Sequence, residues 1–464
     1  MYIQQLYTNC LAEAAYYIES NGEAAIIDPL REIEPYLELL EQRGAKLRYI
    51  FETHFHADFV SGHIDLARKT GAQIVYGPGA QAQYEIVAAA DGQEFEIGFA
   101  RMRVIHTPGH TTESSCFLLV DPQGNEHAIF TGDTLFIGDV GRPDLAVRSN
   151  LTKEQLGEML YDSIHAKLLP LSDEIIVYPG HGAGSACGKS MSKETFDTLG
   201  NQKKVNYALQ PMTKAEFVAT VLEGQVTPPA YFPENAKINK GGYDPIDEVI
   251  ERNLVPLAPD RVAELMAEGV LVLDTRSTED FVQGHIPGSV SIGVDGQFAP
   301  WVGAVLQFNR PLVLVCDTGR EAEAVIRLAR IGFEQVHGFL DGGMAAWAAS
   351  GRAVHQLRTI ASGDVARELA QGAQVVDVRR PAEYAAGHLA GAPNLPLDDY
   401  RQWIGTLDPN KPYLVHCAGG YRSVIMGSLM KAAGFSNVTN VAGGFGALKE
   451  QPTLTIEASS PVVA

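Results

Sequence analysis

Residues 51–63 read FETHFHADFVSGH. Three histidines and two acidic residues fall in this run, in a chain that holds 13 histidines among 464 residues. His54 and His56 flank Phe55, and Asp58 follows. They come straight after the apolar run LRYIF, so they leave the end of a strand, where alternate side chains point the same way and His54 and His56 can converge. Three later segments repeat the pattern. His110 closes HTPGH, Asp133 sits in FTGDTLF and His181 sits in YPGHGAG, each a strand running into a glycine-rich turn. One such histidine is ordinary in a core or on a surface. Four strand-end turns bearing imidazoles and carboxylates are what a divalent cation needs and an apolar core does not. Cys187, in HGAGSACGK just past His181, is a candidate thiol facing the same site. Arg142, in GDVGRPDL, reads either as a surface or structural arginine or as an anchor for a substrate carboxylate or for a loop aspartate such as Asp144.

A second kind of chemistry lies near the C-terminus, in HCAGGYRS at 416–423. Cys417 follows a short strand, and Gly419 and Gly420 permit a tight curl that turns backbone N–H groups of Ala418, Gly419, Gly420 and Tyr421 toward the sulfur. Arg422 adds positive charge, and a helix beginning near Ser423 adds its N-terminal dipole. Such surroundings favour a thiolate nucleophile, and later an anionic persulfide on it. A matching segment, VCDTGREAEA, carries Cys316 about one hundred residues earlier. There the position of Arg422 is taken by Glu321, Arg320 stands one place early, and Asp317 adds a further negative charge. Carboxylates oppose a thiolate, so this copy is expected to be inactive, a spacer or docking surface.

The elements that must position these groups follow from the pattern of apolar runs. Residues 1–200 alternate short strands with glycine-rich turns: GEAAIID, KLRYIFET, AQIVYGPG, RMRVIHTPGH, SCFLLVD, HAIFTGD and DEIIVYPGHG. Residues 200–250 read as a helical and irregular segment that closes this first domain. Beyond it the chain repeats itself. LVLDTR (271–276) matches QVVDVR (374–379), GHIPG (284–288) matches GHLAG (387–391), and FLDGGMAAW (339–347) matches NVAGGFGAL (440–448). An offset near one hundred residues is a tandem domain duplication, not a solenoid. Each copy alternates short strands with alanine-rich helices ended by glycine, which predicts α/β domains with parallel sheets. The expected domains are 1–250, 253–352 and 357–464, the last ending in a loose EASSPVVA tail. Asp274 and Asp377 close equivalent strands and read as structural, as do Trp347 and Trp403.

Lysine and arginine are outnumbered 36 to 56, for a formal net charge of -20. No basic cluster marks a nucleic-acid partner, and an acidic surface repels phosphate backbones and anionic membranes. No run approaches a membrane span, and the N-terminus lacks the basic and apolar regions of a signal peptide. Five cysteines do not form a disulfide framework. A cytoplasmic setting with working thiols is expected.

The histidine run resembles the H-x-H-x-D-H motif of the metallo-β-lactamase superfamily, standing here as His54-Phe55-His56-Ala57-Asp58 and then Phe59. The motif's last histidine, a second-metal ligand in dinuclear hydrolases, is replaced by a side chain that ligates nothing. With GDVGRPDL at 138–145, this makes the domain similar to persulfide dioxygenases. The resemblance implies an αββα sandwich and one Fe2+ per chain held by His54, His110 and Asp133. It leaves His56, Asp58 and His181 around the centre or facing substrate. Likewise HCAGGYRS resembles the active loop of rhodanese sulfurtransferases, with Cys417 and Arg422 catalytic. The whole chain is similar to fusions of persulfide dioxygenase, an inactive rhodanese-like module and an active one. The activity this implies is oxidation of a low-molecular-weight thiol persulfide by dioxygen to sulfite, coupled to sulfur transfer that makes or consumes thiosulfate. A homodimer is compatible with these folds. The rival expectations are a glyoxalase II-like thioester hydrolase, with hydroxide on metal, and a non-catalytic sensor or scaffold of sulfur stress.

Overall fold

The computed structural model describes residues 1–146, 151–225 and 227–458. The chain divides into two compact units, residues 1–247 with 329–332 and residues 248–328 with 333–464.

In the first unit, two six-stranded sheets face each other. One runs in the order Tyr2–Thr8, Glu13–Ser20, Glu23–Ile27, Lys46–Phe51, Gln73–Tyr76, Val87–Ala88. The other runs Asp197–Thr198, Ile176–Pro179, Glu126–Gly132, Ser115–Val120, Ala100–His106, Glu94–Ile97. Strand Glu13–Ser20 shows how both faces are buried. Ala14, Tyr16 and Ile18 point between the sheets and meet Phe51, Phe117 and Phe130. Ala15 and Tyr17 point outward beneath Tyr36 and Leu40 of helix Glu34–Arg43 and Leu66 of helix His63–Thr70. The second sheet is covered by helices Lys153–Ser163 and Lys214–Leu222, through Leu160, Phe217 and Val221. Strands buried on both sides read as continuous apolar runs, and the layers are helix, sheet, sheet, helix. Strands Tyr2–Thr8 and Glu13–Ser20 were not expected. They form an antiparallel pair from MYIQQLYTNCLAEA and its continuation, where interleaved polar residues conceal the strand period.

The second unit holds the two copies. The first has a parallel sheet ordered Pro256–Leu257, Val336–Leu340, Leu312–Val315, Leu271–Asp274, Val290–Ser291. The second is ordered Arg358–Ile360, Val438–Val441, Tyr413–His416, Gln374–Asp377. Cys316 and Cys417 each follow the carboxyl end of a central strand, where open α/β sheets expose their ligand sites. Asp274 and Asp377 bind Arg276 and Arg379 two residues on, both at 2.6 Å, and so close their strands structurally. Trp347 and Trp403 are buried and donate to the carbonyls of Ala353 and Pro396. Part of the tail is paired: Ile456–Glu457 lies antiparallel to His388–Leu389. Residues 459–464, the rest of the expected loose tail, lie outside the described residues.

Candidate metal centre and cysteine loop

His54, His110 and Asp133 converge at the strand ends of the first unit, with one ligand atom from each within 4.8 Å of the others. Each is 2 % exposed. Hydrogen bonds fix which atoms face inward. His110 Nδ1 lies 2.9 Å from the carbonyl of Arg142. A carbonyl only accepts, so Nδ1 carries the proton and Nε2 keeps its lone pair. His54 Nδ1 lies 3.0 Å from Thr53 Oγ1, and that hydroxyl donates to Asp28 Oδ2 at 2.8 Å. Its one proton being spent, Thr53 must accept from His54 Nδ1–H, which leaves His54 Nε2 free as well. Asp133 Oδ1 meets His181 Nδ1 at 2.8 Å, while Oδ2 is buried without a hydrogen-bond partner and lies 3.4 Å from His110 Nε2.

The electrostatics suit a cation. Burial and neighbouring His56 drive the His54 imidazole well below its usual pKa, so it is neutral, as a ligand must be. Burial works against the Asp133 carboxylate, but His181, by its charge and its hydrogen bond, holds it well below the usual carboxylate range. Two imidazoles and one carboxylate, with an orphaned oxygen among them, form a donor set that can hold a divalent metal ion.

The other expected residues arrange themselves around this triad. Asp58 Oδ2 meets His181 Nε2 at 2.7 Å, so His181 links Asp58 to Asp133. Despite burial, these two carboxylates raise the His181 pKa well above its usual value. Cys187 groups with Asp58 and His181, and burial with the charges of Asp133 and Asp58 pushes its thiol well up. His56 turns to another cluster. Its Nε2 lies 3.1 Å from Asp28 and 3.5 Å from Glu52, and the Phe59 ring packs against its ring, tilted by 31° with centroids 4.3 Å apart. Burial opposes a charge on this ring, but Asp28 and Glu52 raise its pKa to about 9. Arg142 anchors the loop aspartate Asp144. Its guanidinium is 1 % exposed and grips both oxygens of Asp144 at 2.8 and 2.7 Å, while its carbonyl orients His110. Gly141 is required beside it, since a Cβ there would lie 1.8 Å from the Asp133 carbonyl oxygen.

In the second unit, Cys417 ends strand Tyr413–His416 and is 2 % exposed. Gly420, at φ 122°, turns its N–H onto the sulfur at 3.1 Å, and Ser423 Oγ lies 3.6 Å away. The following helix spans Tyr421–Ala432, two residues earlier than expected, because the positive φ of Gly420 lets the chain enter it at once. Arg422 lines the same cavity as Cys417, and its guanidinium binds both oxygens of Glu383 at 2.6 and 2.7 Å. The Tyr421 side chain donates to the carbonyl of Gly293 at 2.7 Å. In the first copy, burial and the charges of Glu321, Asp274 and Asp317 push the Cys316 thiol up to about 12. Arg320 does not swing toward that sulfur. It pairs with Asp295 and Glu323, both at 2.8 Å.

Thr53, Asp28, Glu52 and Glu383 were missed in the sequence. Asp28 carried a usable signal, since it too ends an apolar strand, AAIID, before a proline. Glu383 carried none, because its pairing with Arg422 spans 39 residues.

Comparison with known proteins agrees with this architecture. Residues 8–181 match the model of the metallo-beta-lactamase superfamily, and residues 258–350 and 362–451 each match the rhodanese-like domain. The hydroxyacylglutathione hydrolase GloC of Haemophilus influenzae is 30% identical over 38% of this chain and 89% of its own length. A probable hydroxyacylglutathione hydrolase of Schizosaccharomyces pombe is 32% identical over 35% of this chain and 60% of its own length. The mitochondrial persulfide dioxygenase ETHE1 of Homo sapiens is 34% identical over 34% of this chain and 59% of its own length. The chain thus spans about three fifths of the latter two. A crystal structure described as a metallo-beta-lactamase from Staphylococcus aureus superposes with TM-score 0.65 and 30% identity, covering 73% of this chain and 98% of that one. The chain belongs to the metallo-beta-lactamase superfamily and carries two rhodanese-like domains behind that fold. Among the described residues, no helix is long and apolar enough to cross a membrane.

Proposed function

We propose that the chain is a persulfide dioxygenase with sulfurtransferase activity. One Fe2+ is held by His54, His110 and Asp133, and Cys417 carries sulfur. The observation that supports this most is the donor set itself: His54 Nε2, His110 Nε2 and the unpartnered Asp133 Oδ2, with Phe59 where a dinuclear hydrolase has a further ligand. The overall reaction is R–S–SH + O2 + H2O → R–SH + SO3²⁻ + 2 H⁺. Ferrous iron, when bound, supplies the redox chemistry with dioxygen that zinc lacks. The chain's own part is to hold three ligand atoms with their lone pairs inward. It also keeps His181 as a proton-bearing link between Asp133 Oδ1 and Asp58 Oδ2, and excludes bulk water by burial. At the other site, the Cys417 thiolate takes the outer sulfur of a persulfide or of thiosulfate and passes it on, to sulfite in the direction that forms thiosulfate.

The second reading is a glyoxalase II-like hydrolase. It is favoured by the hydroxyacylglutathione hydrolases among the relatives and by the Asp58–His181–Cys187 group, which offers ligand atoms for a second ion. An oxygen electrode separates the two. The dioxygenase consumes about one O2 per glutathione persulfide and leaves S-lactoylglutathione intact. Thioester cleavage under anaerobic conditions without oxygen uptake on persulfide would establish the hydrolase instead.

A further inference from the structure

The cavity at Cys417, about 480 Å³, is not built by the second copy alone. Arg380 and Arg422 line it together with Gln297 and Trp301 of the first copy. Trp301, 4 % exposed, lies on helix Phe298–Val305, whose last carbonyl, that of Val305, accepts from Tyr400 Oη at 2.9 Å and Arg401 Nη2 at 2.7 Å. Both donors belong to the second copy. At the other end of this helix, loop residues 293–296 seat the tyrosine of the sulfur loop. Tyr421 donates to the Gly293 carbonyl, and its ring lies against Gly296, where a Cβ would come within 2.4 Å of Cζ. The loop is tied down in turn by the first copy's own cations. Arg327 donates to the Val294 carbonyl at 2.5 Å and Arg320 pairs with Asp295 at 2.8 Å. Arg320, four residues after Cys316, therefore secures the loop on which Tyr421 rests.

We propose that the first rhodanese-like copy supplies the specificity wall of the Cys417 site. Gln297 and Trp301 select an organic thiol bearing anionic groups as the sulfur-exchange partner, over a small inorganic anion. This rests on the reading of Cys417 as a sulfur carrier. An inorganic anion needs charge and a few donors, whereas a cavity of this size with an indole wall, an amide and the Arg380 guanidinium, beside the Arg422–Glu383 ion pair, matches a multi-carbon, carboxylate-bearing ligand. The exchange is a displacement at sulfur. The Cys417 thiolate attacks the outer sulfur of R–S–SH, the S–S bond breaks, Cys417–S–SH forms, and R–S⁻ leaves and takes up a proton. No external oxidant or reductant is consumed, and the reverse step loads the thiol.

The test uses the full chain, with thiosulfate as donor and either glutathione or cyanide as acceptor. In Trp301→Ala and Gln297→Ala, the ratio of kcat/KM for glutathione to that for cyanide should fall about tenfold, mostly through KM for glutathione, as loss of a pocket contact predicts. Trp301→Phe, which keeps an aromatic wall, should recover most of that ratio. Mass spectrometry of Cys417 after exposure to glutathione persulfide or thiosulfate serves as the control. If no sulfur is gained there, the carrier reading itself fails. If Cys417 loads normally and the acceptor ratio is the same in wild type, Trp301→Ala and Gln297→Ala, the carrier reading stands and the wall is refuted.

Discussion

Thr53 Oγ1 has one proton and gives it to Asp28, which is why His54 presents Nε2 rather than Nδ1 to the triad. Removing that link should leave the ligand present but free to rotate and change tautomer. Thr53→Val is predicted to weaken iron binding about 10–100-fold, the usual cost of losing a partner behind a metal ligand, as measured by competition with a ferrous chelator. Affinity within about twofold of wild type would mean that Thr53 does not set the tautomer. Cys316 makes a prediction of the opposite kind. Its pKa, pushed up to about 12 by burial and by nearby carboxylates, lies above the value of about 8.5 for an unfolded thiol. The fold therefore favours the protonated form. That contribution is complete below about pH 8.5 and is lost as pH rises toward the folded value. Cys316→Ala should flatten the alkaline fall of the second unit's stability, read as urea midpoints across that range. Alkylation of Cys316 at neutral pH as fast as that of the partly exposed Cys10 would contradict the shift.

At the scale of elements, the first site is a set of four strand ends whose loops approach one another so closely that glycine becomes obligatory. Gly141→Ala would drive a methyl group into the Asp133 carbonyl. The loop must shift, moving both Asp133 and the Arg142 carbonyl that orients His110. The variant is expected to fold, since the inter-sheet core around Phe51 and Phe117 is untouched, but to lose most of its bound metal on dialysis. Retention of metal at the wild-type level would show that the loop yields without disturbing the triad. These strand-end turns were legible in the sequence, because an apolar run followed by His or Asp and then glycine is a local pattern. So was the curl of Gly419 and Gly420 around Cys417. Partners distant in sequence left no such mark. Glu383 for Arg422, Gly293 for Tyr421, and Asp28 and Glu52 for His56 are set by packing between segments far apart in the chain.

For the molecule as a whole, the proposed function joins the two sites through persulfide sulfur, oxidised at one centre and carried at the other. Cys417→Ser should abolish thiosulfate formation from persulfide and sulfite, a loss of at least about 100-fold for removal of a nucleophile, while persulfide-dependent oxygen uptake continues. If oxygen uptake fell equally, the iron centre would depend on Cys417 for its substrate. The duplication was visible in the sequence through the hundred-residue offset, and the αββα layering was implied by the resemblance of the histidine run to the metallo-β-lactamase motif. The contribution of the first copy to the second copy's cavity was not visible, since a repeat shows which segments correspond but not how the two copies pack. The most direct measurement is the metal content of anaerobically purified protein, with electron paramagnetic resonance after addition of nitric oxide. The account predicts about one iron per chain with the nitrosyl signal of a non-haem ferrous site. Two zinc ions per chain with no such signal would contradict it and make the hydrolase the better description.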